Sequence, residues 1–186
     1  MPPKLLPCPT RRRLLAAAAG GALYALPRRH ARAAPAAARS LAFENLHTGE
    51  SLRTVYWEQG QYLEQPLLDI QHLLRDYRNG QVHAIDIGLL NLLHAMREGL
   101  GASRPIQLIS GYRSPATNAA LHARSGQVSS GSLHMQGMAA DIRIPGCDLP
   151  RLRALALSLR GGGVGYYPHS DFVHVDVGRV RQWTGA

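Results

Sequence analysis

In residues 132–146, SLHMQGMAADIRIPG, an imidazole (His134) and a carboxylate (Asp141) stand seven positions apart, in a stretch that begins like a loop and ends like a buried strand. Short apolar segments bury neither group without a partner. A second stretch, FVHVDVG at 172–178, carries His174 and Asp176. Read with the two-residue period of a strand, Val173, Val175 and Val177 share one face, and Phe172, His174 and Asp176 share the other. In AADIRI, Ala140, Ile142 and Ile144 likewise oppose Asp141 and Arg143. If the two strands are neighbours, Asp141 and His174 come within reach of one atom, and a turn at Gly137 folds His134 back onto it. Two neutral imidazoles, a carboxylate and an open fourth position make a catalytic zinc site, with one ion per chain. Calcium or magnesium would ask for more oxygen ligands, whereas other transition metals accept the same donors. A His and an Asp seven apart also occur without any metal; the second strand, with its His-x-Asp, shifts the balance towards one.

The elements that must hold these groups are readable in outline. SLAFENLHTGESLRTVYWEQGQYL alternates around His47-Thr48-Gly49 as a hairpin or two short strands. QPLLDIQHLLRDYRNG predicts a helix with Pro66 near its start, Leu67, Ile70, Leu74 and Tyr77 on one face, and Gly80 just past its end. IDIGLLNLLHAMREGLG predicts another, with Ile85, Leu89, Leu92 and Met96 in its stripe and Gly101 beyond it. A strand over 106–110 runs into a turn and then a helix with Ser114 as N-cap and Pro115 at the first helical position. Arg113 therefore sits at a strand-to-helix junction, where a rigid strand holds a side chain in an open loop. DLPRLRALALSLRGG predicts the last helix, with Leu152, Leu155 and Leu159 on one side, and two strands around a Pro turn close the chain. Strands and helices without regular βαβ alternation predict an α+β domain, a small, mostly antiparallel sheet with helices packed on one face. The other face is left for the site.

The first 38 residues read as an export signal: a basic front, an apolar run from Leu14 to Leu26 too short to span a membrane, and Ala-rich sequence with A-x-A sites. Thr10-Arg11-Arg12-Arg13-Leu14-Leu15 resembles a twin-arginine signal, the alternative being a general secretory signal with an arginine-rich front. The formal charge of +9 is concentrated there; cleavage near Ala38 leaves 14 basic against 12 acidic residues. With that front gone and no basic stripe interleaved with aromatics, a nucleic-acid partner is not expected. Nor is stable membrane insertion of the mature form. Cys8 leaves with the signal and Cys147 remains alone, so no internal disulfide forms. The other histidines beyond the signal, His47, His72, His83, His94, His122 and His169, lack partners at ligand spacing and read as solvated or hydrogen-bonded.

Ser132-x-His134-x-x-Gly137-x-Ala139-x-Asp141, followed by a distant His174, resembles the motif of the D-Ala-D-Ala metallopeptidase superfamily. SGYRSPATNAAL, SLHMQGMAADIRIPG and GGVGYYPHSDFVHVDVGRVRQW are similar to its MepK/YcbK-like murein endopeptidase branch, a resemblance covering about residues 41–186. It implies a single zinc peptidase domain over 39–186 with a hedgehog/D-Ala-D-Ala-peptidase-like α+β fold, acting in the periplasm on the peptide cross-links of peptidoglycan. It implies His134, Asp141 and His174 as zinc ligands, Arg113 as the arginine near the scissile carbonyl, and Ser132 as a substrate or outer contact. Asp171, in D-x-x-H with His174, stands where related dipeptidases carry their general base. Asp176 is expected to orient a ligand histidine, or to pair with Arg143 or Arg179, and Tyr167 to line the cleft or pack. Cleavage of free peptide ends, as by a D,D-carboxypeptidase or dipeptidase, and zinc-stabilised murein binding without hydrolysis are the competing expectations.

Overall fold

The computed structural model describes residues 37–125 and 128–185; the export signal lies, apart from its last two positions, outside the described residues. In chain order the elements are β1 (Arg39–Asn45), β2 (Ser51–Glu58), β3 (Gln61–Tyr62), α1 (Glu64–Leu73), α2 (Ile87–Leu100), β4 (Ile106–Ser110), α3 (Pro115–Ser125), a 3₁₀ turn (Leu133–Gln136), β5 (Ala139–Arg143), α4 (Leu149–Leu159), β6 (Gly163–Tyr167), β7 (Phe172–Asp176) and β8 (Arg181–Thr184). The strands form one sheet in the order β3-β2-β1-β4-β5-β7-β6-β8. Its pairs are antiparallel except β1 with β4 and β6 with β8. The fold is α+β, as the sequence predicts, although the sheet is larger: β3 and β8 extend both edges.

One face of the sheet is the core. Phe43, Leu108, Ile142, Val173 and Val175 from the central strands meet Ile70 of α1, Leu89, Leu93 and Met96 of α2, and Leu152 and Ala156 of α4. The stripe of α2 is framed by the Asp86 side chain, which accepts from Gly88 N at 2.7 Å, and by Gly101 in the left-handed conformation that ends the helix. Truncating a wholly buried leucine such as Leu93 to Ala costs about 2–5 kcal/mol. Helix α3 is different, because its buried residues are the polar Thr117 and Asn118.

Helix α1 is shorter than its apolar spacing predicts. It stops at Leu73, and the carbonyl of Leu74 accepts from Tyr112 N at 2.7 Å. The following turn closes on itself, with Gly80 N donating to the Asp76 carbonyl at 2.7 Å. The wholly buried Asp76 carboxylate accepts from Ser114 N at 3.0 Å. Residues 74–80 thus fasten the loop that carries Arg113, and helical continuation would forfeit those bonds. Among the described residues no helix is long and apolar enough to cross a membrane.

Candidate metal centre

The register of β5 on β7 sets Asp141 directly opposite His174, both on the face away from the helical core. His134 reaches them from the 3₁₀ turn, which ends at Gly137 in the left-handed region at φ 67°. A Cβ at Gly137 would collide with the Ala84 carbonyl, so glycine is required there for approach as well as for conformation. His134 Nε2 lies 3.2 Å from His174 Nδ1 and 3.3 Å from Asp141 Oδ1, and the latter two atoms are 2.8 Å apart. Four donors held 2.0–2.1 Å from a zinc ion stand about 3.3 Å from one another, so these three atoms are spaced as one face of a zinc tetrahedron.

Each imidazole has its outer nitrogen occupied. His134 Nδ1 donates to the Gly111 carbonyl at 2.7 Å, which leaves the Nε2 lone pair facing the cluster. His174 Nε2 donates to Asp176 Oδ2 at 3.2 Å, which leaves Nδ1 facing it. Such outer partners fix the tautomer and orientation of a metal-binding histidine. Asp176, wholly buried, also accepts from Gly163 N and Gly178 N, each at 2.9 Å, and from Arg181 Nη2 at 2.7 Å. Its ionic partner is therefore Arg181, not the Arg143 or Arg179 that the sequence suggests as alternatives.

Electrostatics keeps the Asp141 carboxylate ionised and the His134 imidazole neutral, the forms in which each can donate to a metal. Burial pushes the Asp141 carboxyl up, but His134 and His174 outweigh it and hold the group well below the usual carboxylate range. Burial pulls His134 down and keeps its imidazole neutral. His174 is also penalised by burial, yet its bonds to Asp141 and Asp176 raise it. A metal cation would replace the proton that these two carboxylates otherwise retain.

The cluster forms the floor of a cavity of about 440 Å³ whose wall includes Arg113, Ser132, Tyr167, Phe172, Arg181 and Trp183. Arg113 Nη2 lies 3.7 Å from Asp141 Oδ2, and Nη1 donates to Asn118 Oδ1 at 3.3 Å. Its Nε is buried with no partner among the described residues. Burial lowers the guanidinium pKa, with Asp141 opposing that shift. Tyr167 stacks on Phe172 with centroids 4.5 Å apart, and its hydroxyl accepts from Trp183 Nε1 at 2.9 Å. Tyr166 points elsewhere, with the Arg153 guanidinium 5.1 Å from its ring centroid.

The structure thus gathers His134, Asp141, His174, Arg113, Ser132 and Tyr167 around one cavity, with Asp176 behind His174. Asp171 is not on the cavity wall. Its side chain, 57% exposed, pairs with Arg143, although both its chain neighbours, Ser170 and Phe172, line the cavity. His169 is exposed and also off the wall. Sequence reasoning misses Asn118, Arg181 and Trp183. The last two stand two apart on β8, an alternation that would place both on one face.

A buried His-Asp-His cluster opening into a polar cavity on an α+β sheet has the donor set and spacing to hold one metal ion with a coordination position left open to the cavity. The sequence model of the family described as "Peptidoglycan L,D-endopeptidase MepK" matches residues 33–183. The chain is 46% identical over 145 residues to the peptidoglycan L,D-endopeptidase MepK of Escherichia coli strain K12, covering 78% of this chain and 80% of the relative. It is 41% identical over 148 residues to a probable peptidoglycan L,D-endopeptidase MepK of Haemophilus influenzae, covering 79% and 80%. This chain belongs to the peptidoglycan L,D-endopeptidase MepK family.

Proposed function

We propose that this protein is a zinc-dependent peptidoglycan endopeptidase, exported to the periplasm, that hydrolyses a peptide bond between an L and a D centre in the cell-wall cross-links. The observation that carries the reading is the trio His134 Nε2, Asp141 Oδ1 and His174 Nδ1, spaced as a tetrahedral face at the floor of an open cavity. The relatives' names supply the substrate class and the stereochemistry of the bond. A zinc ion held by these three residues would polarise the scissile carbonyl and bring the pKa of a bound water towards about 7.

The remaining work falls to the chain's own groups. Arg113 has unused donor capacity on the cavity wall, and its guanidinium donates to the carbonyl oxygen as negative charge develops on it, or to a substrate carboxylate. Asp141 is the sole carboxylate on the described wall, and a ligand cannot also be the free proton acceptor. The acceptor is Asp171, which is flanked by two wall residues and whose carboxylate is freed by release from Arg143. It takes the proton of the attacking water and returns it to the leaving amine. Ser132 and Tyr167, both on the cavity wall, contact the peptide.

The test is digestion of purified cross-linked sacculi by the purified protein, with and without a chelator, followed by chromatography of the released muropeptides. Loss of cross-linked dimers that a chelator blocks and added zinc restores is the expected result. Intact sacculi beside a protein that holds one zinc per chain would overturn hydrolysis and leave a murein-binding role.

A further inference from the structure

Asp141, His174, Gly165 and Trp183 form one row across β5, β7, β6 and β8. Adjacent strands lie about 4.8 Å apart, so the backbones of His174 and Trp183, two strands apart, are separated by about 9.6 Å. Their ring centroids are nevertheless only 5.2 Å apart. The indole bridges the difference by lying over Gly165. A Cβ at that glycine would stand 2.7 Å from Cε2 and Cζ2 of Trp183 and 2.9 Å from Nε1.

The indole is also pinned from two sides. Nε1 donates to the Tyr167 hydroxyl at 2.9 Å, and the Arg181 guanidinium lies 5.0 Å from the ring centroid while gripping Asp176. Asp176 in turn accepts from His174 Nε2. The polar partners of His174, Asp176 at Nε2 and Asp141 at Nδ1, meet the ring at its edge and leave its faces free to tilt. A fixed wall against the ring removes that freedom and keeps water from it, as an apolar shell does around a metal site.

We propose that Trp183, seated in the gap left by Gly165, is a positioning residue for His174 that keeps Nδ1 turned towards His134 and Asp141. The inference rests on the reading of the cluster as a metal centre. It gives Gly165 a function without a side chain, because any larger residue would displace the indole while leaving the polar partners of His174 in the sequence.

The test measures zinc affinity of the full chain by competition with a chromophoric chelator at fixed pH. Trp183→Ala and Gly165→Ala are each expected to weaken zinc binding by about 10-fold or more, the scale of outer-sphere effects on metal sites, while Trp183→Phe stays within about threefold of the parent. A second readout uses Trp57→Phe, which leaves Trp183 as the sole tryptophan of the chain. Cobalt(II) added to that protein quenches the indole emission, and Gly165→Ala reduces the quenching. A merely structural role would lower the melting temperature of both variants and leave the zinc affinity of the folded protein unchanged. If circular dichroism finds Gly165→Ala unfolded, Trp183→Leu carries the comparison with Trp183→Phe. Folded Trp183 variants that bind zinc like the parent would overturn the inference alone. A parent chain that binds no zinc would overturn the metal reading, and the inference with it.

Discussion

The site is built from two halves that are held in different ways. Asp141 and His174 ride on paired central strands, where the backbone ladder and the packing of Ile142, Val173 and Val175 on the opposite face set their positions. A one-residue slip would turn both groups into the core, so the burial of the apolar face enforces the placement of the ionisable one. His134, Arg113 and Asp171 instead ride on connecting segments. His134 depends on the Gly111 carbonyl, Arg113 on Asn118 and the Asp76-bound loop, and Asp171 on Arg143. Single hydrogen bonds of this kind contribute about 1 kcal/mol each, so this half can be adjusted without unfolding the sheet. In the proposed reading, the rigid half supplies two of the three metal donors, and the adjustable half supplies the third together with the groups that meet the substrate.

Removing a donor from the rigid half is the harshest way to break this division. His174→Ala should abolish stoichiometric zinc binding and lower sacculus hydrolysis by more than the roughly 10²–10⁴-fold typical of losing a general base, with metal analysis and muropeptide release as readouts. A His174→Ala protein that keeps its zinc and its activity would remove His174 from the site. Asp171→Asn probes the adjustable half: hydrolysis should fall about 10²–10⁴-fold with zinc content unchanged, read by muropeptide release and metal analysis. A fall under about threefold would leave Asp171 as a partner of Arg143 and nothing more.

Asp76→Asn should have the smallest effect on chemistry. Burial pushes the Asp76 carboxyl up, but hydrogen bonds from Thr117, Ser114 and the Arg78 N–H outweigh it and hold its pKa below the ordinary 3.8. Its stabilising contribution is therefore present above about pH 4 and is lost as pH falls through the lower folded-state value. The variant should lose about 1–3 kcal/mol of stability near neutral pH and should melt with a weaker acid dependence than the parent. Its zinc content should be unchanged, because the altered carboxylate lies beneath the loop half.

The same division explains what the sequence discloses. Alternation in AADIRI and FVHVDVG assigns each residue a face before any pairing is known, and one assumption, that the strands are adjacent, brings Asp141 to His174. Ser114-Pro115 marks the start of α3 and so exposes Arg113 as a junction residue. Less legible is whatever depends on non-local docking. Leu74 ends α1 because a loop some 38 positions later takes its carbonyl, and apolar spacing alone gives no notice of that. Trp183 reaches His174 only because β8 runs parallel to β6 in a register that sets Gly165 between them. Asp176 likewise finds Arg181 across a turn, where charge alone offered Arg143 and Arg179 equally well.

The most direct test of the metal centre is anomalous diffraction from crystals of the zinc-loaded protein, recorded on both sides of the zinc absorption edge. One peak per chain is expected, about 2 Å from each of His134 Nε2, Asp141 Oδ1 and His174 Nδ1, with its free side towards Arg113. A zinc peak elsewhere, or no peak between these three atoms in fully loaded crystals, would contradict the metal centre.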